Sequence, residues 1–372
     1  MTLTNLGKYI ETYDERNENR LGADSVVGIS TGKEFIETKA KLDGVSLKSY
    51  KVVPPKYFAY VADTSRRGEK ISLSYNSSDD EYLVSSISTV FRVKEPELLS
   101  SEFLFMYFNR PEFDRFARYN SWGSARETFS WNDMCDIEID LPPLHIQEKY
   151  VAIYKAMLAN QKVYENGLED LKLVCDATIE KLQKTAPKQM IGDYIELFDI
   201  RNKNNEDFAF KGLSMENYFI DSIANSKGLD FTKYKVVYPN DFAAVLMKVG
   251  RDRRITIAQN TSSKNYMISS AYFTFKARET INPDYLMMVM STTDFDLRCW
   301  FNSDSSVRGS LEWGRFCEVE IPIANEGFQN SLANIYKVYL ERKEINERLK
   351  QQIKDICPIL IAGAIKEANA NA

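Results

Sequence analysis

Apolar and polar positions along this chain fall into two patterns, and each pattern occurs twice. The first is strict alternation. Ile71-Ser72-Leu73-Ser74-Tyr75 and Ile255-Thr256-Ile257-Ala258 alternate cleanly, which predicts strands with one buried face. Residues 57–62 and 71–75 read as two strands around a turn, and 137–141 as the last strand of its unit. Residues 102–108, 113–118, 285–290 and 295–300 read as short helices. The second pattern is a long run with apolar or small residues at steps of three and four. It passes through Ile153, Met157, Gln161, Tyr164, Leu168, Leu171, Cys175, Thr178 and Leu182. That spacing is a heptad-like seam with one polar break, at Gln161. Leu332, Ile335, Tyr339, Arg342, Ile345, Leu349, Ile353, Ile356 and Leu360 form a second seam. Pro358 lies inside it, so a kink or fraying is expected there. A helix of ~36 residues spans roughly 54 Å, too long to bury its seam on one small domain. Either each helix packs along its own globular unit, or the two pair with each other. Antiparallel pairing predicts a globular unit at each end of a rod.

The chain repeats itself, and this feature organises everything else. Gly7-Lys8-Tyr9-Ile10-Glu11 returns 185 positions later as Gly192-Asp193-Tyr194-Ile195-Glu196. Tyr50-Lys51-Val52-Val53 returns 184 positions later as Tyr234-Lys235-Val236-Val237, and Phe58-Ala59 as Phe242-Ala243. Trp131, Cys135, Gln147 and Ile153-Tyr154 return 182 positions later as Trp313, Cys317, Gln329 and Ile335-Tyr336. Two small indels explain the drift, so the chain is a duplication. The expected division is a globular domain over 1–145, a spacer helix over 146–186, a second globular domain over 187–326 and a second spacer helix over 327–372. The fold class is α+β, with two mixed domains separated by long antiparallel helices.

Composition removes several classes of function. Hydrophobic residues make up 44% and charged residues 27% of the 372 positions, near the globular average, which excludes a disordered or collagen-like chain. No apolar stretch approaches the ~20 residues of a membrane span, and the first ten residues lack the layout of a signal peptide, so a cytoplasmic protein is expected. The five cysteines have no C-x-x-C spacing, which indicates neither a zinc site nor a disulfide framework. His145 is the only histidine, which removes multi-histidine metal sites and most serine-histidine-acid triads. No glycine-rich phosphate loop or cofactor fingerprint occurs. A hydrolase would have to use His145, whose place at a helix start reads as structural.

The remaining chemistry is carried by two polar loops in each copy. The turn after the first strand of the pair reads Ser65-Arg66-Arg67-Gly68-Glu69-Lys70 in one copy and Gly250-Arg251-Asp252-Arg253-Arg254 in the other. Polar segments follow the second strand, beginning at Asn76 and Asn260. A later loop holds Ser124-Ala125-Arg126, matched by Ser306-Val307-Arg308. Arginine's planar fork suits a phosphate or the O6/N7 edge of guanine. The candidate DNA-contacting residues are therefore Arg66, Arg67, Lys70, Asn76, Ser124, Arg126, Arg251, Arg253, Arg254, Asn260, Ser306 and Arg308. The bland alternatives are a solvated turn, or arginines paired with Glu127 and Glu312. The net charge of −5 speaks against a strongly basic DNA-binding surface and predicts that the chain alone binds DNA poorly.

The junction Ile139-Asp140-Leu141-Pro142-Pro143-Leu144-His145-Ile146-Gln147 resembles the I-x-L-P-P-L-x-x-Q junction of type I restriction-modification specificity (S) subunits. Gly123-Ser124-Ala125-Arg126-Glu127-Thr128-Phe129-Ser130 is similar to that family's G-S-x-(Q/R)-P-N-L-S stretch. Val53-Pro54-Pro55-Lys56-Tyr57-Phe58-Ala59 and Pro239-Asn240-Asp241-Phe242-Ala243 are similar to its V-x-P-G-D-(F/I) motif. The second copy departs from the junction, reading Ile321-Pro322-Ile323-Ala324 without the paired prolines. The resemblance implies a non-catalytic DNA-binding subunit. Each target recognition domain would read one half of a bipartite, asymmetric target in double-stranded DNA, with half-site centres roughly 34–36 Å apart. The helices would set the spacer and dock modification (methyltransferase) subunits. No cofactor is expected in this chain; S-adenosylmethionine, ATP and Mg belong to the modification and restriction (motor-nuclease) subunits. The alternative is a two-domain adaptor that binds proteins.

Overall fold

A computed structural model describes residues 3–63, 70–123, 127–222, 228–247, 249–304 and 309–371. Its helices are α1 (Ser101–Phe108), α2 (Pro111–Tyr119), α3 (Trp131–Cys135), α4 (Leu144–Thr185), α5 (Val249–Asp252), α6 (Pro283–Met290), α7 (Thr293–Phe301), α8 (Trp313–Cys317) and α9 (Glu326–Ala370). The chain divides into two compact units, Met1–Val163 with Asn346–Ala372, and Tyr164–Ile345. Each unit takes half of each long helix. The class is α+β, as the alternation and heptad patterns predict.

The first unit is built on an antiparallel sheet in the order Ile10–Tyr13, Thr89–Val93, Phe58–Val61, Ser72–Tyr75. Strand side chains alternate between faces. Phe58 and Phe91 therefore point to the same side, where their rings stack with centroids 4.9 Å apart. Phe103, Met106 and Phe108 of α1, Phe113 of α2 and Met134 of α3 close over them. On the other face Ala59 and Val90 pack with Val53 and Val84. Each fully buried Phe contributes roughly 1.5–3 kcal/mol. The helices start where the sequence supplies caps. Ser100 accepts from the Phe103 N–H, Pro111 opens α2, and Ser130 and Asp133 form a reciprocal capping box.

The second unit repeats these parts. Its sheet runs Ile195–Phe198, Phe273–Ala277, Phe242–Val245, Thr256–Gln259, with Phe242 stacked on Phe275 at 5.0 Å. Two landmarks of the sequence repeat acquire a physical reason here. A Cβ on Gly7 would fall 2.7 Å from the Cys135 Cβ, and one on Gly192 would fall 2.7 Å from the Cys317 Cβ. Only glycine permits that approach.

Within the first unit the early part of α4 runs beside the late part of α9. Lys149 binds Glu367 at 2.8 Å and Gln161 meets Asn346 at 2.9 Å, so the order is antiparallel. Ile146, Val151 and Tyr154 share one core with Ile353, Cys357, Ile361 and Ala364. In the second unit Cys175 and Ile179 share a core with Leu332 and Tyr336. The helices thus pair and also pack on the globular parts, where the sequence posed these as alternatives. Three expectations are corrected. Ile153 is exposed, because Val151 and Tyr154 take the inward positions on that turn. In the second seam Arg342 is exposed and Asn346 is buried. Pro358 does not fray α9, which continues to Ala370 because Cys357, Leu360 and Ile361 anchor the helix around it.

Candidate functional site

In each copy the strand end that precedes the arginine-rich segment is bonded to the residues that follow the small-residue segment. In the first unit the Phe129 N–H donates to the Ala62 carbonyl at 2.8 Å, and Asp63 and Thr128 form a β-bridge. In the second unit the equivalent Leu311 N–H donates to the Leu246 carbonyl, also at 2.8 Å. There the Gly250 N–H also reaches the Gly309 carbonyl at 2.7 Å. Gly309 has φ +54, and a Cβ on it would lie 2.5 Å from the Gly250 Cα. The same backbone clasp therefore recurs in both units, just after the central strands Phe58–Val61 and Phe242–Val245. In the second copy α5 occupies part of the region read as a plain turn.

The candidate side chains have separate fates. Arg66, Arg67, Ser124, Arg126, Ser306 and Arg308 lie outside the described residues. Lys70 is exposed. Arg251 is exposed and grips the neighbouring Asp252 with Nε at 2.7 Å and a second nitrogen at 3.2 Å. Arg254 is half-buried, its Nε 3.7 Å from Asp296. Burial raises the Asp296 carboxyl above the ordinary carboxylate range, although it accepts from the Ile255 N–H at 3.0 Å. Arg253 is exposed, sits at φ +50 and lies 4.8 Å over the Trp300 ring. Among the described residues it has no carboxylate partner.

Asn76 and Asn260 are corrected. Both are fully buried, and their amides are spent on the backbone. Asn76 donates to the carbonyls of Val53 (2.9 Å) and Asp80 (2.8 Å) and accepts from Ser78. Asn260 does the same with Val237 (3.2 Å), Lys264 (2.8 Å) and Ser262. Short polar side chains that satisfy local backbone groups fix turns. These two shape the loop and present nothing to a ligand.

A structure search supplies the comparison for this arrangement. The crystal structure of a type I restriction-modification system S subunit from M. genitalium matches over 98% of this chain and 95% of its own, with TM-score 0.53 and 10% identity. The fold is that of an S subunit. A chain from a structure of complex assembly and conformational transition of the type I R-M system covers 98% and 97%, at 13% identity and TM-score 0.45. The HsdS subunit of Thermoanaerobacter tengcongensis covers 98% and 96%, at 14% identity and TM-score 0.36. No protein-family profile and no curated protein sequence matches the chain.

On the S-subunit fold the short motifs quoted from the sequence have structural work. Gln147 is fully buried where α4 begins, accepting from the Ser100 N–H at 3.0 Å and donating to the Leu98 and Pro142 carbonyls at 2.8 and 2.7 Å. Gln329 repeats this, accepting from the Asn282 N–H at 3.0 Å and donating to the Ala324 carbonyl at 2.8 Å. One side chain thus ties each long helix to the start of α1 or α6. Lys56 and Asn240 stand where the resembling motif has glycine, and both adopt left-handed backbone, at φ +68 and +66. Asp241 beside it is pushed up to about 6 by burial, against the Tyr238 N–H that favours its charge. Among the described residues no group of three or more His, Cys, Asp or Glu could hold a metal ion, and no helix is long and apolar enough to cross a membrane.

Sequence reasoning missed several groups in these units. Lys33 is buried, with Nζ 2.5 Å from Asp114 and 2.9 Å from the Ile71 carbonyl, and burial pushes its pKa down. Asn217 holds the equivalent place, with φ +64 against +67 at Lys33. Tyr119 and Phe301 end α2 and α7 in open solvent, one residue beyond the helices read from the sequence. Their shared place in the repeat register was the available signal.

Proposed function

We propose that this chain is the DNA-reading specificity subunit of a type I restriction-modification complex. The observation that carries the reading is the recurring clasp on an S-subunit fold. The Ala62–Phe129 and Leu246–Leu311 bonds join, in each unit, the strand end that precedes the arginine-rich segment to the residues that follow the small-residue segment. Phosphate contacts from such loops position a protein on the duplex, and base-edge contacts select sequence. Two diverged copies would read two different half-sites, giving an asymmetric bipartite target, and the long helices would set the spacer and dock modification subunits. S-adenosylmethionine, ATP and Mg would be held by those partners and by a restriction subunit. A methyltransferase must extrude its base, so opening of the DNA belongs to the complex.

The test is methylome sequencing of cells with and without the gene. The expected outcome is loss of one bipartite N6-methyladenine motif on deletion. An unchanged methylome would sink the proposal. Binding of the reconstituted complex to duplex DNA should weaken steeply between low and physiological salt, as counterion release requires. Salt-independent binding to a protein partner alone would instead favour an adaptor.

A further inference from the structure

Tyr119 closes α2 and Phe301 closes α7, 182 positions apart, which is the register of the repeat. Tyr119 is 78% exposed and Phe301 is 85% exposed, while no other phenylalanine exceeds 42%. Each ring sits one residue before an asparagine that caps its helix, Asn120 and Asn302, with the amide on the carbonyl four residues back at 3.0 Å. The backbone at both ends is thus held fixed while the ring projects into water. A single exposed aromatic is ordinary. Two at one repeat position are not, because the positions around them have diverged: Arg115 is replaced by Leu297 and Arg118 by Trp300.

A guanidinium accompanies the ring in both units. In the first, Arg115 and Arg118 share the exposed helix face, paired with Glu112 at 3.1 Å and Glu127 at 2.6 Å. Exposed pairs of this kind are weak and exchange readily for phosphate. In the second, Leu297 and Trp300 stand at those two positions, Arg298 of the same helix is paired with Asp294 at 2.7 Å, and Arg253 reaches over Trp300 from the neighbouring turn. It does so at φ +50, a conformation that costs energy in any residue with a Cβ. A ring flanked by guanidinium matches a nucleobase flanked by phosphate. Both rings have partly exposed apolar neighbours, Phe116 and Trp122 near Tyr119, and Leu297 and Trp300 near Phe301. It is therefore the guanidinium groups on the same helix and the adjoining turn that favour a base flanked by phosphate.

We infer that Tyr119 and Phe301 are base-contacting residues, each laying its ring on a base of the half-site that its unit reads. The inference rests on the specificity-subunit reading. Aromatic wedges and platforms act on any base through its π-face, so they supply affinity and opening of the stack, while the neighbouring loops supply selectivity.

The experiment uses the full chain with its modification subunits, expressed in cells that lack other adenine methyltransferases, with the host genome as substrate. Phe301→Ala and Tyr119→Ala are expected to reduce the rate of methylation at the wild-type motif about ten-fold. Phe301→Tyr and Tyr119→Phe should restore it. Melting temperature and co-purification of modification subunits should be unchanged, since both rings are solvated. Wild-type rates in both alanine variants would overturn the inference and leave the specificity reading standing. Loss of rate together with loss of modification subunits would also overturn it, assigning the rings to a protein contact. A wild-type complex that methylates no motif would defeat the specificity reading itself, and the inference with it.

Discussion

The Gln161 side-chain amide donates to the Asn346 Oδ1 at 2.9 Å, with both residues buried between α4 and α9 in the first unit. Gln161 is the polar break that interrupts the apolar seam of the sequence. A helix pair that slipped past this contact would strand two amides in an apolar interface, so one bond selects one register.

Gln161→Leu or Asn346→Leu alone should cost about 1–3 kcal/mol, because each leaves its partner unsatisfied. The double variant should recover most of that loss. Denaturant titration of the complete chain, followed by helical circular dichroism, measures all three. Strictly additive losses would show that the two side chains do not act as a pair.

Lys33 and Asp114 make a buried ion pair at 2.5 Å, and the Asp114 carboxylate also accepts from the Ile71 N–H at 3.2 Å. Lys33→Asn keeps a residue that tolerates left-handed backbone, as Asn217 shows in the second unit. It therefore removes the pair without adding backbone strain. The expected cost is about 3–5 kcal/mol, and adding Asp114→Asn should return part of it. A melting temperature equal to wild type would mean that Asp114 is already solvated.

Asn76→Ala and Asn260→Ala each remove the partner of two carbonyls and of a serine. A loss of about 1–3 kcal/mol is expected in each case, with the methylated motif unchanged at temperatures where the variant is folded. Relaxed base choice with an unaltered melting temperature would place these asparagines on the DNA surface instead.

Asp241 has its carboxyl raised by burial to about 6. The folded chain thus binds a proton there that the unfolded chain has released, and this group's contribution to stability falls as pH rises from about 4 to 6. Asp241→Asn removes that loss while keeping an acceptor for the Tyr238 N–H. The variant should gain melting temperature relative to wild type as pH is raised from 4 to 7. A pH-independent difference between the two would contradict the raised pKa.

The duplication was legible because landmarks recur in one register along the chain, and helix positions and both seams because they rest on local periodicity. A strand needs alternation and a helix needs spacings of three and four, and neither depends on what lies across the fold. Ile153 and Arg342 were misplaced for a related reason. A heptad count drifts against the true helical turn, and only the packing of Tyr154 and Asn346 shows which side faces in.

Loop chemistry was harder to read. Asn76 and Arg253 both look like polar turn residues, but one is buried with its amide on the Val53 and Asp80 carbonyls and the other is held over an indole. The clasp that joins residue 62 to 129, and 246 to 311, crosses more than sixty positions of chain, so no short pattern encodes it. By itself the sequence determined that there are two copies of one unit, each followed by a long helix, and that arginines recur in their loops. The tertiary structure alone decided which of those polar groups meet solvent together, because hydrogen bonds between distant backbone segments, and burial by neighbouring elements, set where a side chain ends.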